Sequence, residues 1–199
     1  MDGAWEILDV YHKDLRAVTY VLGDVADDDV LEQVCLEATE SPASLVQPAN
    51  FNAPGQIVIS GDAPAVEKAM ELAKAAGAKR ALALNVSGAF HSPLMAVAED
   101  GLREHLAGVA MRDPVFPVVS NVTAEPVSDA ATAKELLVRQ LTSPVRWTAS
   151  MRTMRDRGVT AFHEIGPGNV LAGLMKRIDR EAGITSLGTA EQIESFQGD

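Results

Sequence analysis

The chain of 199 residues carries 17 Lys and Arg against 28 Asp and Glu, a net charge of −11, and is 47% hydrophobic. That length supports one or two domains with a real core, and the apolar content is too high for disorder. The acidic balance disfavours a duplex-DNA or RNA binder, which needs a basic face to neutralise phosphates. The single cysteine, Cys35, excludes an internal disulfide and a Cys-built zinc site and fits a reducing compartment, so the cytoplasm is the expected location. No stretch approaches the roughly 18 consecutive apolar residues of a membrane span. Residues 1–16 lack the basic start, apolar run and small-residue cleavage site of a secretory signal.

In chain order, AVTYVLGD at residues 17–24 reads as a strand. A helix over residues 27–39 follows, with acidic residues in its first turn and Val30, Leu31, Val34 and Ala38 on one face. Cys35 sits on or beside that face as a small buried hydrophobe. Two apolar runs then flank Asn-Phe-Asn-Ala-Pro-Gly, which predicts a hairpin across residues 44–62. Helical spacing returns over residues 63–76 through Val66, Met70, Leu72 and Ala73, is capped by Gly77, and leads into the strand-like RALALNV at 80–86. Residues 17–86 therefore predict β-α-β-β-α-β, the split βαβ, ferredoxin-like order.

Beyond it, SGAFHSPLM is a loop opening into a helix over residues 93–109, and PVFPVVSNV is a short strand between prolines. Helices are predicted over residues 129–141 and 148–157, then a strand running into a Gly-Pro-Gly turn at 159–168. A helix at 170–178, a strand at 184–188 and a loose tail at 189–199 complete the pattern. Strands alternating with helices predict a parallel α/β sheet, but only about three strands are visible here, too few for a sheet covered on both faces.

Among the four histidines, His91 stands in a Gly/Ser/Pro-rich loop at the junction of the two units, where ligand sites concentrate. His12 and His105 read as surface residues, and His163, alternating with Phe162 on a strand, as structural. The turn from Glu164 to Asn169 either receives an anion at a helix N-terminus or simply connects strand to helix, and the second reading is preferred. Asn50 and Asn52 either line a cleft as substrate-binding residues or belong to an ordinary hairpin. No phosphate loop, dinucleotide fingerprint or His/carboxylate cluster at metal-ligand spacing occurs, so neither a cofactor nor a metal is expected.

Five motifs occur in order: NFNAPGQIVISG at 50–61, AAGAKRALALNVSGAFHSPLM at 75–95, PVVSNV at 117–122, LVRQLTSPVRW at 137–147 and EIGPGNVLAGLMKRI at 164–178. Together they resemble the malonyl-CoA:acyl carrier protein transacylase family and, more distantly, the acyltransferase domains of polyketide and animal fatty acid synthases. The resemblance covers roughly residues 17–188. It implies a ferredoxin-like small domain at 17–86 and, at 87–188, the C-terminal part of an α/β-hydrolase-like large domain, with 1–16 as a non-family segment and 189–199 as a tail. It further implies malonyl transfer from coenzyme A to the phosphopantetheine thiol of acyl carrier protein, through an ester on a serine, in fatty acid biosynthesis or a polyketide pathway. By the same resemblance His91 is the catalytic base, and the backbone carbonyl of Gln140 orients its other ring nitrogen. Phe90, just before the histidine, either excludes an α-methyl branch and so selects malonyl, or packs under the loop.

The sequence departs from the family in containing no Gly-His-Ser-x-Gly elbow and no N-terminal Gly-Gln-Gly strand, and Arg16 is too close to the first strand to match the arginine that pairs the malonyl carboxylate. The expectation is a chain without transfer activity of its own, or one half of a split acyltransferase completed by a nucleophile-bearing polypeptide. A separate reading is a non-catalytic carrier-protein-binding fragment. It rests on the local basic clusters Lys79/Arg80, Arg152/Arg155/Arg157 and Lys176/Arg177/Arg180, which are otherwise solvated surface.

Overall fold

The computed structural model describes residues 17–23, 28–84 and 88–196. Strands β1 (Ala17–Gly23), β2 (Val46–Ala53), β3 (Gln56–Asp62) and β4 (Arg80–Leu84) form a four-stranded antiparallel sheet in the order β2-β3-β1-β4. That is the strand order of the split βαβ unit predicted from the sequence. Helices α1 (Asp28–Ala38) and α2 (Ala63–Ala75) are the two crossovers. Leu31, Val34 and Cys35 of α1, Val66 and Ala69 of α2, and Ile57 and Ile59 of β3 meet in one buried cluster. The alternation in β3 sends these isoleucines toward the helices and leaves Val58 and Ser60 for the other face. Gly77, at φ 98°, supplies the left-handed residue just past α2, as its sequence position predicted.

The rest of the chain meets this unit along β2, at Gln47, Ala49 and Phe51. Pro93–Ala98 is a 3-10 turn leading into α3 (Glu99–Ala107), not one continuous α-helix over 93–109. The reason is local. The segment opens with a short-range bond from the Met95 amide to the Ser92 carbonyl, the i to i+3 pattern of the tighter helix.

The expected strand around residues 114–122 shrinks to β5 (Val118–Val119), paired antiparallel with β6 (Pro126–Val127), an element the sequence pattern did not reveal. Pro114 and Pro117 cannot donate to a ladder, and Val115 and Phe116 between them are exposed. Helix α4 (Ala130–Arg139) starts at Asp129, whose carboxylate accepts the Thr132 amide at 2.8 Å. Helix α5 (Trp147–Asp156) precedes β7 (Ala161–Ile165), α6 (Val170–Ile178) and β8 (Gly183–Leu187), and β7 and β8 pair in parallel as expected. The end of the chain is not uniformly loose. Helix α7 (Ala190–Ser195) begins in a capping box formed by Thr189 and Gln192.

Two backbone bonds stitch the parts together, Phe51 N–H to the Val145 carbonyl at 2.9 Å and Val145 N–H to the Ala49 carbonyl at 2.8 Å. No helix among the described residues is long and apolar enough to cross a membrane.

Candidate active site

The loop at residues 88–92 is set by its own chemistry. The Ser92 hydroxyl is fully buried and donates to the Ala89 carbonyl at 2.7 Å, which closes the loop on itself. Between them His91 adopts φ 60°, the left-handed region that a residue with a Cβ enters at a cost of about 1–2 kcal/mol. Such a conformation persists only where its surroundings impose it, and it concentrates at functional sites.

What imposes it is partly the end of α4. The last carbonyls of a helix lack intrahelical donors. Gln140, the residue that closes α4, places its carbonyl oxygen 2.8 Å from Nδ1 of His91. A carbonyl only accepts, so Nδ1 carries a proton, and in the uncharged ring the lone pair then falls on Nε2. The arrangement sets a fixed main-chain dipole against Nδ1, a carbonyl and not a carboxylate, and leaves the Nε2 side of the ring for the chemistry.

Phe90, His91 and Gln140, three of the residues singled out from the sequence, line one cavity of about 310 Å³. Its remaining lining, Leu102, Leu106, Leu137 and Leu141, is apolar. Asn50 and Asn52 are half-buried on β2 and are not in that lining. Asn50 instead bridges to Val145 through the backbone.

Sequence reasoning missed three contacts. The Gln140 side chain is occupied, because its Oε1 accepts from Asn121 Nδ2 at 3.0 Å. The carbonyl of Asn121 in turn accepts the Arg146 amide at 2.8 Å. From β2, Nε2 of Gln47 donates to the His91 carbonyl at 2.7 Å. A polar Gln47 between the buried Val46 and Pro48 was the available signal for that last contact.

The other candidates separate cleanly. At the Gly-Pro-Gly turn, the Glu164 carboxylate accepts the Leu171 and Ala172 amides, each at 2.9 Å, so these free amides of α6 are satisfied by the chain itself. Desolvation pushes the Glu164 carboxyl upward, but the hydrogen bonds from Leu171, Ala172 and Ser186 outweigh it and hold the group below its ordinary value. The plain strand-to-helix connection therefore describes this turn.

Cys35 is 2% exposed, and burial, with a smaller contribution from Glu32, pushes its thiol up to about 12. His105 is exposed, with Nδ1 2.8 Å from the Gly101 carbonyl of its own helix. His163 is exposed as well, and its ring meets Phe196 edge-on at 4.7 Å. His12 and Arg16 lie outside the described residues. Within the basic clusters, Arg155 pairs with Asp179, Arg157 with Glu125, and Arg177 donates to Gln56 and the Pro54 carbonyl. Those three cations serve internal contacts, which weakens the case for the clusters as a docking surface.

The model of the acyl transferase domain family matches residues 22–193. The malonyl CoA-acyl carrier protein transacylase of Bacillus subtilis (strain 168) is 48% identical over 178 residues, covering 89% of this chain and 55% of that protein. Among solved structures, a malonyl-transacylase in complex with a type II PKS acyl-carrier protein is 38% identical with a TM-score of 0.90, covering 98% of this chain and 62% of that one. The malonyl-CoA:acyl carrier protein transacylase of Xanthomonas oryzae pv. oryzae is also 38% identical, with a TM-score of 0.87 over 95% of this chain and 59% of that chain. The chain thus spans about 55% of the length of the first curated relatives it matches. With the family's model matching over most of its length, the chain belongs to the acyl transferase domain family.

Proposed function

We propose that this chain supplies the base-bearing part of a malonyl-CoA:acyl carrier protein transacylase, working in the cytoplasm in fatty acid biosynthesis. The observation that carries the reading is the 2.8 Å contact between Nδ1 of His91 and the Gln140 carbonyl, which leaves Nε2 as a free base beside a 310 Å³ cavity. The likeness to transacylases of the same name, one of them bound to an acyl-carrier protein, supports the choice of substrates and partner.

A serine hydroxyl is a poor nucleophile until a base takes its proton. Here Nε2 of His91 receives that proton as the serine oxygen attacks the malonyl thioester carbonyl. The resulting imidazolium is held by its Nδ1–H bond to the Gln140 carbonyl. Collapse of the tetrahedral intermediate breaks the C–S bond, and the departing coenzyme A sulfur takes the proton from Nε2. In the second half-reaction the phosphopantetheine thiol gives its proton to the same nitrogen and attacks the serine ester. The leaving serine oxygen recovers the proton, so His91 ends each cycle neutral. A base placed this way contributes about 10²–10⁴-fold in rate.

Coenzyme A and phosphopantetheine are substrates in this scheme, and no resident cofactor takes part. The serine comes from a segment with the Gly-His-Ser-x-Gly elbow, a motif these 199 residues do not contain. The test is transfer of labelled malonyl from coenzyme A to phosphopantetheinylated carrier protein, with the chain co-expressed beside a serine-bearing segment of a relative. Transfer with the wild-type chain and its loss with His91→Ala support the reading. Equal transfer by the two rules it out.

A further inference from the structure

Gln47 stands on β2, opposite Ser60 of β3, in the sheet of the first unit. Its Nε2 lies 2.7 Å from the carbonyl oxygen of His91 and 3.4 Å from that of Thr142. Both partners are acceptors, and a primary amide nitrogen has two hydrogens, so one side chain holds two carbonyls from different segments. Thr142 lies two residues beyond Gln140, whose own carbonyl faces the His91 ring. The contacts close a circuit that runs from the His91 ring to Gln140, along the chain to Thr142, through Gln47, and back to the His91 carbonyl. The Thr142 hydroxyl anchors that corner by donating to Glu99 at 2.9 Å.

The circuit encloses a residue whose backbone is strained, His91 at φ 60°. Strain of this kind relaxes when its restraints are removed. A bond to the His91 carbonyl acts on the backbone and not on the ring, so it is separate from the Gln140 contact.

We propose that Gln47 is a positioning residue, clamping the backbone of His91 so that Nδ1 stays on the Gln140 carbonyl and Nε2 faces the cavity. This rests on the reading of His91 as the base. The side chain needs both the reach and the donors of glutamine. Gln47→Glu keeps the shape but, ionised, offers only acceptors to two carbonyls. Gln47→Asn keeps the amide but falls a methylene short.

The experiment is two-bond proton–nitrogen correlation of the histidine rings in the 199-residue chain, labelled with nitrogen-15 histidine, at alkaline pH where imidazoles are neutral. It needs no transfer activity. The wild type is expected to show His91 as the Nδ1–H form, and both variants to shift it toward the Nε2–H form that free imidazole prefers. His105, whose Nδ1 contact lies within its own helix, is the internal reference and keeps its pattern throughout. Wild-type His91 patterns in both variants overturn the proposal. So does a His105 pattern that changes together with that of His91, since Gln47 would then only hold the fold. A wild-type His91 already in the Nε2–H form overturns the assignment of the base itself, and the clamp with it.

Discussion

The main-chain oxygen of Gln140 stands 2.8 Å from Nδ1 of His91, while the side-chain oxygen of the same residue accepts from Asn121 at 3.0 Å. One residue thus orients the ring with its backbone and fixes the end of α4 with its side chain.

The two roles separate on substitution. Gln140→Ala keeps the carbonyl and loses only the Asn121 bond, a loss of about 1 kcal/mol in stability. Transfer in the reconstituted assay is expected to change by no more than a few-fold, against the loss of about 10²–10⁴-fold for His91→Ala. Thermal melting and transfer rates on the same preparations check both halves.

Phe90 lines the cavity beside His91, where a ring limits the room for a branched acyl group. Phe90→Ala is expected to raise transfer of methylmalonyl relative to malonyl by about 10-fold or more, the range a single carbon is worth in an apolar pocket. Competition between the two thioesters in one reaction reads the ratio directly. An unchanged ratio would assign Phe90 to packing under the loop.

Glu164 gives a pH signature. Its carboxyl is held below the ordinary value of 4.5 in the folded chain, by hydrogen bonds that outweigh desolvation. A carboxyl lowered on folding stabilises the fold above its unfolded value, and that contribution fades as pH falls through the folded one. Glu164→Gln, which cannot accept from Leu171 and Ala172 as a carboxylate does, is expected to melt below the wild type at neutral pH. The gap narrows as pH falls below about 4.5, which denaturation curves across that window would show.

The legible parts of the fold are those fixed by short-range pattern. The apolar run of β3 after the Asn-Ala-Pro-Gly turn, the apolar face of α1 and Gly77 after α2 each leave a local mark, and together they carry the β-α-β-β-α-β order. β6 left none, because a strand of two residues, one of them proline, has no period to detect. The capping box at Thr189 and Gln192 was present in the sequence, and a helix of six residues was still overlooked because its apolar content is slight.

At the site, the pairing of His91 with Gln140 followed from the family resemblance, since a backbone acceptor has no side-chain identity to read. Gln47 lies 44 residues from His91, and only the folded sheet brings the two together. The preference for an ordinary turn at Glu164 was justified by the amides that its carboxylate takes up.

On the proposed function this chain carries the base and not the acyl-accepting side chain. Ser92 is fully buried with its hydroxyl donated to Ala89, and Cys35 is sealed with a thiol pushed up to about 12. The direct measurement is the intact mass of both polypeptides after malonyl-CoA is added to the chain together with a serine-bearing segment. The predicted result is a malonyl adduct on the serine segment, present with the wild-type chain and absent with His91→Ala, and none on the chain itself. A stoichiometric adduct on the chain, mapped to Ser92, Ser87 or Cys35, would contradict it.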